Sequence, residues 1–446
     1  MKSHAIDRVS ADDLMSLASE RGTAPMQVGA VLMLDTGDRL DPQLIADAIA
    51  HRVFGVPRLR QRLVKVPWWC GRLAWVDDGA FTVSSHFSVL RCPAPGGEAA
   101  VLGVAAEMLV TQLPHDRPLW AATLVTETGP GEAALVVVFH HVLADGVGGL
   151  AVLGGLVDGA TEAHGTASAR PMPSPKELVL DAAMARVRSV GRLPAVLRRL
   201  RDAASELRPG FRVRAAPSSL NTPTGPRRRF ATVRVDLNEL RRAAHAHQAT
   251  VNDVVLSAVA AALHRLLEVR GERVDQFVIS VPFSARRQAS AHDLGNQSGV
   301  IPLLVSGVGD PAWRLESVAE TTRVAKRKQP GASTALLGPV FRALARAGLY
   351  RRFIDRQRFI HTFVTNLRGP ESRLLFLDCP ITGIIPLSVA TGNVTVSFAV
   401  LSYAGSLTVT LIADPETCPD LSVLGEALSE EFRVLTNDHP QAQEHG

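Results

Sequence analysis

The sequence predicts a two-domain α/β protein. Three observations carry this reading. At 446 residues, 46% apolar and 20% charged, the chain has the composition of a globular protein and the length for more than one core. Short β-branched runs alternate with helix-spaced segments in both halves of the chain. Between the halves the texture changes, small, polar and proline-rich over 159–175 and arginine-rich over 177–207. The expected division is a first domain at 1–158, a linker with basic helices at 159–229 and a second domain at 230–446.

In the first half, residues 10–20 read as a short helix, 25–34 as a strand and 42–52 as a helix. Strand-like pieces follow near 68–76 and 81–89. Leu135-Val136-Val137-Val138-Phe139 is too short for a membrane span and has the β-branched character of a buried strand. The glycine-punctuated segment 147–157 after it is helix-compatible. In the linker, 177–207 reads as one or two helices broken near Gly191 and Pro194, with Arg186, Arg188, Arg192, Arg198, Arg199 and Arg201 beside Leu, Val and Ala. Such a stretch suits either a solvated face over an apolar stripe or an anionic bilayer.

The second half opens with a strand at 230–235 and a helix at 237–245. Thr250 is a good N-cap for the next helix, whose apolar positions Val251, Val254, Val255, Ala258, Val259, Ala262, Leu263 and Leu266 follow helical spacing until Gly271. Strands are expected at 277–281 and 300–305, and an arginine-rich, helix-prone region at 340–357. Residues 395–403 and 406–413 read as a hairpin about Ala404-Gly405, and 418–435 as the last helix.

Composition excludes several classes. The 4 cysteines have no C-x-x-C spacing, which argues against a zinc module or disulfide framework and fits a reducing compartment. The first twenty or so residues lack the continuous apolar core of a secretory signal, and no run reaches the roughly 18 apolar residues of a spanning helix. A cytoplasmic protein is expected. The net charge of +5 suits nucleic acid, CoA phosphates or an anionic membrane surface. No nucleic-acid module signature accompanies it, so no nucleic-acid partner is expected.

The chemistry concentrates at the end of the 135–139 strand, where His140 and His141 are followed by Asp145 and Gly146. Two imidazoles at a strand end, with a carboxylate just beyond, can move protons near neutral pH. Other readings compete. The pair could be ordinary hydrogen-bonded histidines, or metal ligands, although adjacent strand residues face opposite ways and one metal would rarely take both. Gly146, Gly148 and Ala151 also fit a relaxed dinucleotide-binding pattern, but no acid ends a second strand some twenty residues on.

His140-His141-Val142-Leu143-Ala144-Asp145-Gly146 resembles the HHxxxDG motif of the chloramphenicol-acetyltransferase-like, CoA-dependent acyltransferases, shared by nonribosomal peptide condensation domains. Pro118-Leu119-Trp120, Asn252-Asp253, the 282–286 segment and 363–370 resemble, in order, the PLW, ND, PVSxR and SNxxGP segments of the bacterial wax ester synthase/diacylglycerol acyltransferase family. The resemblance covers nearly the whole chain. It departs at Ala121, where the family has an acid, at Phe283, where it has a small apolar residue, and at Thr365, where it has serine.

The resemblance implies the two-domain chloramphenicol-acetyltransferase-like fold, each domain a mixed sheet flanked by helices, with the active site at the domain interface. It implies transfer of a fatty acyl group from acyl-CoA to the hydroxyl of diacylglycerol, with long-chain alcohols as a second acceptor class. His141 takes the general-base position, beside His140. Asn252 belongs to the active-site region, as an oxyanion donor or acceptor-positioning group. In related folds the aspartate, here Asp145, pairs with an arginine that props the histidine loop, and Arg286 is the expected partner. Gly146 lets the backbone turn tightly after Asp145. Trp120 is expected to shape the wall of the acyl channel, and Asp253 to start its helix and border the substrate. CoA phosphates would want cations, among them Arg227, Arg228, Arg229, Arg287, Lys326, Arg327 and Lys328. No metal and no cofactor beyond acyl-CoA as substrate is expected, and no acyl-enzyme, since there is no G-x-S-x-G elbow. The lipid acceptor implies peripheral contact with the inner membrane face or a lipid droplet. A condensation-type acyltransferase using an amine or carrier-protein substrate, and a catalytically idle lipid-binding relative, are the competing classes.

Overall fold

The computed structural model describes residues 6–10, 13–20, 25–37, 41–159, 172–191, 214–284, 298–327, 344, 347–390 and 392–437. Two six-stranded mixed sheets organise these residues. The first half supplies α1 (Asp13–Ser19), β1 (Gln27–Asp35), α2 (Pro42–Arg52), β2 (Gln61–Val64), β3 (Ala74–Asp77), β4 (Phe87–Arg91), α3 (Gly97–Val110), β5 (Trp120–Gly129), β6 (Glu132–His140) and α4 (Gly146–Gly154). Helix α5 (Pro175–Gly191) follows. The second half supplies β7 (Arg229–Asp236), β8 (Gln276–Ser284), β9 (Ser298–Ser306), β10 (Thr362–Arg368), β11 (Leu375–Phe376), β12 (Cys379–Leu387), β13 (Val396–Tyr403) and β14 (Ser406–Ala413). Its helices include Leu237–Ala246, Val251–Val269, Pro311–Arg327 and Leu421–Asn437.

The first sheet runs β11-β12-β1-β6-β5-β4, with β4 and β5 parallel and the other pairs antiparallel. The second runs β7-β14-β13-β10-β8-β9, with β10 parallel to both β13 and β8. Strand β12 comes from the second half of the chain and pairs with β1, Gly29 opposite Leu387, so 230–446 contributes to both sheets. Gly29 is required there, because a Cβ would lie 2.1 Å from the Val137 carbonyl oxygen.

β6 is buried on both faces, as its unbroken apolar run foretells. Alternation sends Leu135, Val137 and Phe139 into a core shared with α2 and α4, and Ala134, Val136 and Val138 into another. That second core also takes Val101 and Ala105 of α3, Phe230 of β7, Ala399 of β13 and Ile412 of β14, so the two sheets meet in one apolar layer. Glu98 of α3 adds polar ties to Thr232 and Arg234 of β7. The largest core surrounds the helix Val251–Val269, whose Val254, Val255, Ala258, Val259, Ala262, Leu263 and Leu266 all pack onto the second sheet.

Several expected elements differ. Trp68–Cys70 is a 3-10 turn, not part of a strand, and pairing begins only at Ala74. Val83–Ser85 is likewise 3-10, with the strand displaced to Phe87–Arg91. The last helix starts at Leu421, after Pro419. Residues 192–213 and 328–343, where parts of two basic helical regions were expected, lie outside the described residues. Among the described residues, no single helix is long and apolar enough to cross a membrane.

Candidate active site

A hairpin builds the histidine turn. β5 folds back on β6 so that Trp120 pairs with Phe139, and His140 N–H donates to the Leu119 carbonyl at 2.9 Å. The Pro118-Leu119-Trp120 segment therefore lies beside the histidines, although far from them in sequence. From the other side, β1 aligns Gln27 with His140, and His141 N–H donates to the Met26 carbonyl at 2.7 Å. Gln27 is fully buried; its Nε2 donates to the carbonyls of Leu109 and Thr111, closing the end of α3 against the same strand.

The two imidazoles have different surroundings. His140 is fully buried, and its Nδ1 accepts from the Val142 N–H at 2.9 Å, which puts the ring proton on Nε2. Nε2 faces Glu20 Oε1 at 3.4 Å, a polar contact without the alignment of a full hydrogen bond. His115 Nε2 meets the same carboxylate oxygen at 3.3 Å. Burial pushes the Glu20 carboxyl up, but the bond from His115 and the contact with His140 outweigh it and bring the pKa down to about 2. The Glu20 bond in turn raises His115 above its ordinary value, against a smaller lowering by burial.

His141 stands at the start of the turn after β6. Burial lowers its pKa below the ordinary 6.5, and the nearby Asp145 carboxylate opposes that only in part. The ring is therefore neutral at pH 7, the state that can accept a proton. Asp145 is itself buried and caps α4: its Oδ1 accepts from the Gly148 N–H at 2.9 Å. The Asp-Gly step follows from packing. A Cβ on Gly146 would lie 3.0 Å from Leu367 Cδ2, so glycine lets the start of α4 sit against β10.

That contact brings the second half to the site. Leu367 follows Asn366 on β10, and Asn366 Nδ2 donates to Asn252 Oδ1 at 3.2 Å. The bond fixes the Asn252 amide and leaves its Nδ2 as a donor. Asp253 is committed elsewhere. Its Oδ2 accepts from Thr250 N–H at 2.8 Å and Thr250 Oγ1 at 2.7 Å, and its Oδ1 from Thr322 Oγ1 at 2.7 Å. It forms a capping box and ties two helices together.

His140, His141, Asp145 and Gly146 thus lie on one turn, Gly146 packs against Leu367 of β10, and the adjacent Asn366 of that strand bonds Asn252. Trp120 lies in the core beside them, its Nε1–H donating to the Leu59 carbonyl at 2.7 Å and its ring stacked on His86 at 4.7 Å. Arg286 and Arg287 lie outside the described residues. Arg228 is buried, donating to the carbonyls of Ala390 and Gly225, and Arg227 pairs with Glu416. Sequence reasoning missed Glu20 and His115, which no local pattern connects to His140.

Two mixed sheets joined through a shared core, with an HHxxxDG turn of the first abutting β10 of the second, define a protein of the chloramphenicol-acetyltransferase-like, CoA-dependent acyltransferase class. Residues 9–255 match the wax ester synthase/diacylglycerol acyltransferase catalytic domain and residues 294–436 the WS/DGAT C-terminal domain. The chain belongs to the wax ester synthase/diacylglycerol acyltransferase family. It is 26% identical over 467 aligned positions to a protein named putative diacylglycerol O-acyltransferase from Mycobacterium tuberculosis strain CDC 1551, covering 99% of this chain and 93% of the relative. It is 27% identical to a probable diacylglycerol O-acyltransferase, tgs1, of M. tuberculosis strain H37Rv, covering 91% and 90%. The fold is similar to that of the wax ester synthase/diacylglycerol acyltransferase from Marinobacter aquaeolei VT8, with a TM-score of 0.70 at 21% identity over 96% of this chain and 98% of that one. It is also similar to the first condensation domain of the calcium-dependent antibiotic synthetase, with a TM-score of 0.64 at 21% identity over 98% of each chain.

Proposed function

We propose that this protein transfers a fatty acyl group from acyl-CoA to the hydroxyl of diacylglycerol, with long-chain alcohols as a second acceptor class. An alcohol is a poor nucleophile while protonated. His141 takes the hydroxyl proton as the oxygen attacks the thioester carbonyl. The tetrahedral intermediate then loses CoA thiolate, and His141 returns the proton to sulfur. Such acid–base help is worth roughly 10² to 10⁴ in rate. Asn252 Nδ2, steadied by Asn366, donates to the developing oxyanion or to the acceptor. Asp145 holds the turn and moderates the His141 pKa, and Trp120 stiffens the wall behind the histidines.

One observation carries the reading: a half-buried histidine, its pKa lowered by its surroundings, stands on a turn whose aspartate end abuts the strand bearing Asn366 and, through it, Asn252. The family match and the names of the mycobacterial relatives support an acyl-CoA donor and a lipid acceptor. Such an acceptor resides in a bilayer or a lipid droplet, so the protein works at the cytoplasmic face of one, as a peripheral protein.

The test is CoA release from palmitoyl-CoA with diacylglycerol, hexadecanol or no acceptor, in wild type and His141→Ala. Acceptor-dependent release that vanishes in the variant is expected. Release that ignores the acceptor, or survives the substitution, overturns the mechanism. Release driven by an amine in place of either alcohol assigns the site to the condensation class instead.

A further inference from the structure

Two neighbouring elements expose apolar surface that the core does not use. Trp68 is 81% exposed and Trp69 52%, side by side at the tip of a 3-10 turn, their rings edge to face at 5.6 Å. Next to them α5 buries Leu178 and Ala182 against the first half, yet Leu180 is 61% and Val187 73% exposed. Leu180, Ala183, Met184 and Val187 fall at i, i+3, i+4 and i+7, the spacing of a continuous helical stripe, and all four are exposed. That stripe lies on the side of α5 opposite Leu178 and Ala182. The helix therefore presents an apolar face outward while a second one holds it in place.

Loop and helix are tied together. Arg186 donates to the Trp69 carbonyl at 2.9 Å, and a Cβ on Gly71 would lie 3.3 Å from Ala182 Cβ. Arg8 clamps both sides, pairing with Asp181 at 3.0 Å and donating to the carbonyls of Arg72 and Leu178. Charge surrounds the apolar surface with one dominant sign. Arg186 and Arg188 flank the stripe on either side of the helix, Lys176 lies on its first turn, and Lys65 and Arg72 bracket the tryptophans, all exposed. Of the acids on α5, Asp181 is held by Arg8 and Glu177 bonds Ser174 at the helix start.

We propose that the Trp68-Trp69 loop and the outward stripe of α5 form a docking surface for an anionic lipid bilayer. Exposed apolar surface on two joined elements marks a partner. Indoles beside arginines and lysines match the headgroup region, where an amphipathic ring and a cation are both accommodated. The inference rests on the proposed function only for the choice of a membrane over another partner. It names the surface through which a bilayer-borne acceptor is approached.

The experiment is co-sedimentation of the full chain with phosphatidylcholine vesicles and with vesicles of mixed phosphatidylcholine and phosphatidylglycerol. Wild type is compared with Trp68→Ser/Trp69→Ser, with Leu180→Gln/Val187→Gln and with Arg186→Gln/Arg188→Gln. Circular dichroism checks the fold, and CoA release with an alcohol dissolved in detergent reports catalysis apart from membrane binding. The tryptophan and stripe variants should lose about tenfold or more in partition to both vesicle types. The arginine variant should lose affinity for the anionic vesicles alone, and raised salt should mimic it. Detergent activity should stay unchanged throughout. Wild type that binds no vesicles, or tryptophan variants that bind as well as wild type, overturn the proposal. So does a concentration-dependent dimer by sedimentation velocity that the tryptophan variant abolishes, which would make the surface a contact between copies. Vesicle binding that persists in a wild type without acyltransfer activity would sink the proposed function and leave the docking surface standing.

Discussion

Replacing Glu20 by glutamine keeps the shape at the junction of His115 and His140 and removes its charge. The carboxyl ordinarily titrates near 4.5; burial raises it, and the two histidines together bring it to about 2. At about 1.4 kcal/mol per tenfold change in proton affinity, the shift corresponds to ~3 kcal/mol of folding free energy. The side chain is only 10% exposed, so solvent screening takes little of that away. A depressed carboxyl contributes fully above its ordinary value and loses that contribution as pH falls from 4.5 toward about 2. His115, raised by the same contact, contributes fully below its ordinary 6.5 and loses its share as pH rises through its folded value. The two describe one interaction and are not added. The stability difference between wild type and Glu20→Gln should therefore be greatest between 4.5 and 6.5 and shrink on both sides. Urea unfolding at intervals between about pH 3 and pH 9 measures it. A difference that stays flat, or that grows toward the acid end, would refute the reasoning.

The same structure sets further expectations. Because burial lowers His141, kcat/KM should hold a plateau at neutral pH and fall only below the ordinary 6.5, and His141→Ala should cost roughly 10² to 10⁴ in rate with no such limb left. Asn366→Ala removes the donor that fixes Asn252; about a tenfold drop in kcat is expected with little change in the KM for acyl-CoA, and equal changes in both would contradict a positioning role. Trp120→Phe leaves the Leu59 carbonyl without its indole donor and should cost ~1–3 kcal/mol in urea unfolding, with KM values nearly unchanged if the ring serves only the core.

Much of this was legible because the strongest signals are local. The run before His140 could hardly be anything but a buried strand, and Thr250 with Asp253 announced a helix start that the structure completes as a capping box. The hairpin at Ala404-Gly405 also stands, with both residues at positive φ. The losses have a common cause. Trp68 and Trp69 look like strand residues in sequence, yet Pro67 before them and Gly71 at φ 97° after them make a turn that pushes both indoles outward. β12 is assigned to the first sheet by pairing with a strand some 350 residues earlier, information that no window of sequence contains. Glu20 meets His115 and His140 for the same reason.

Strand geometry also explains how adjacent histidines come to differ. Neighbouring residues at the end of β6 face opposite ways, and the inward place falls to His140. Its ring nitrogens turn to the Val142 N–H and to Glu20, and we propose that it holds the turn that carries His141. This division predicts a double dissociation. His140→Ala would strip the Val142 N–H of its acceptor and leave Glu20 short of one histidine, at a cost of ~3 kcal/mol. What activity remains should keep the acid limb set by His141. His141→Ala should remove activity and that limb while leaving the urea midpoint near wild type. If His140→Ala instead abolished the limb without loss of stability, the general base would be His140 and the proposed roles would have to be exchanged.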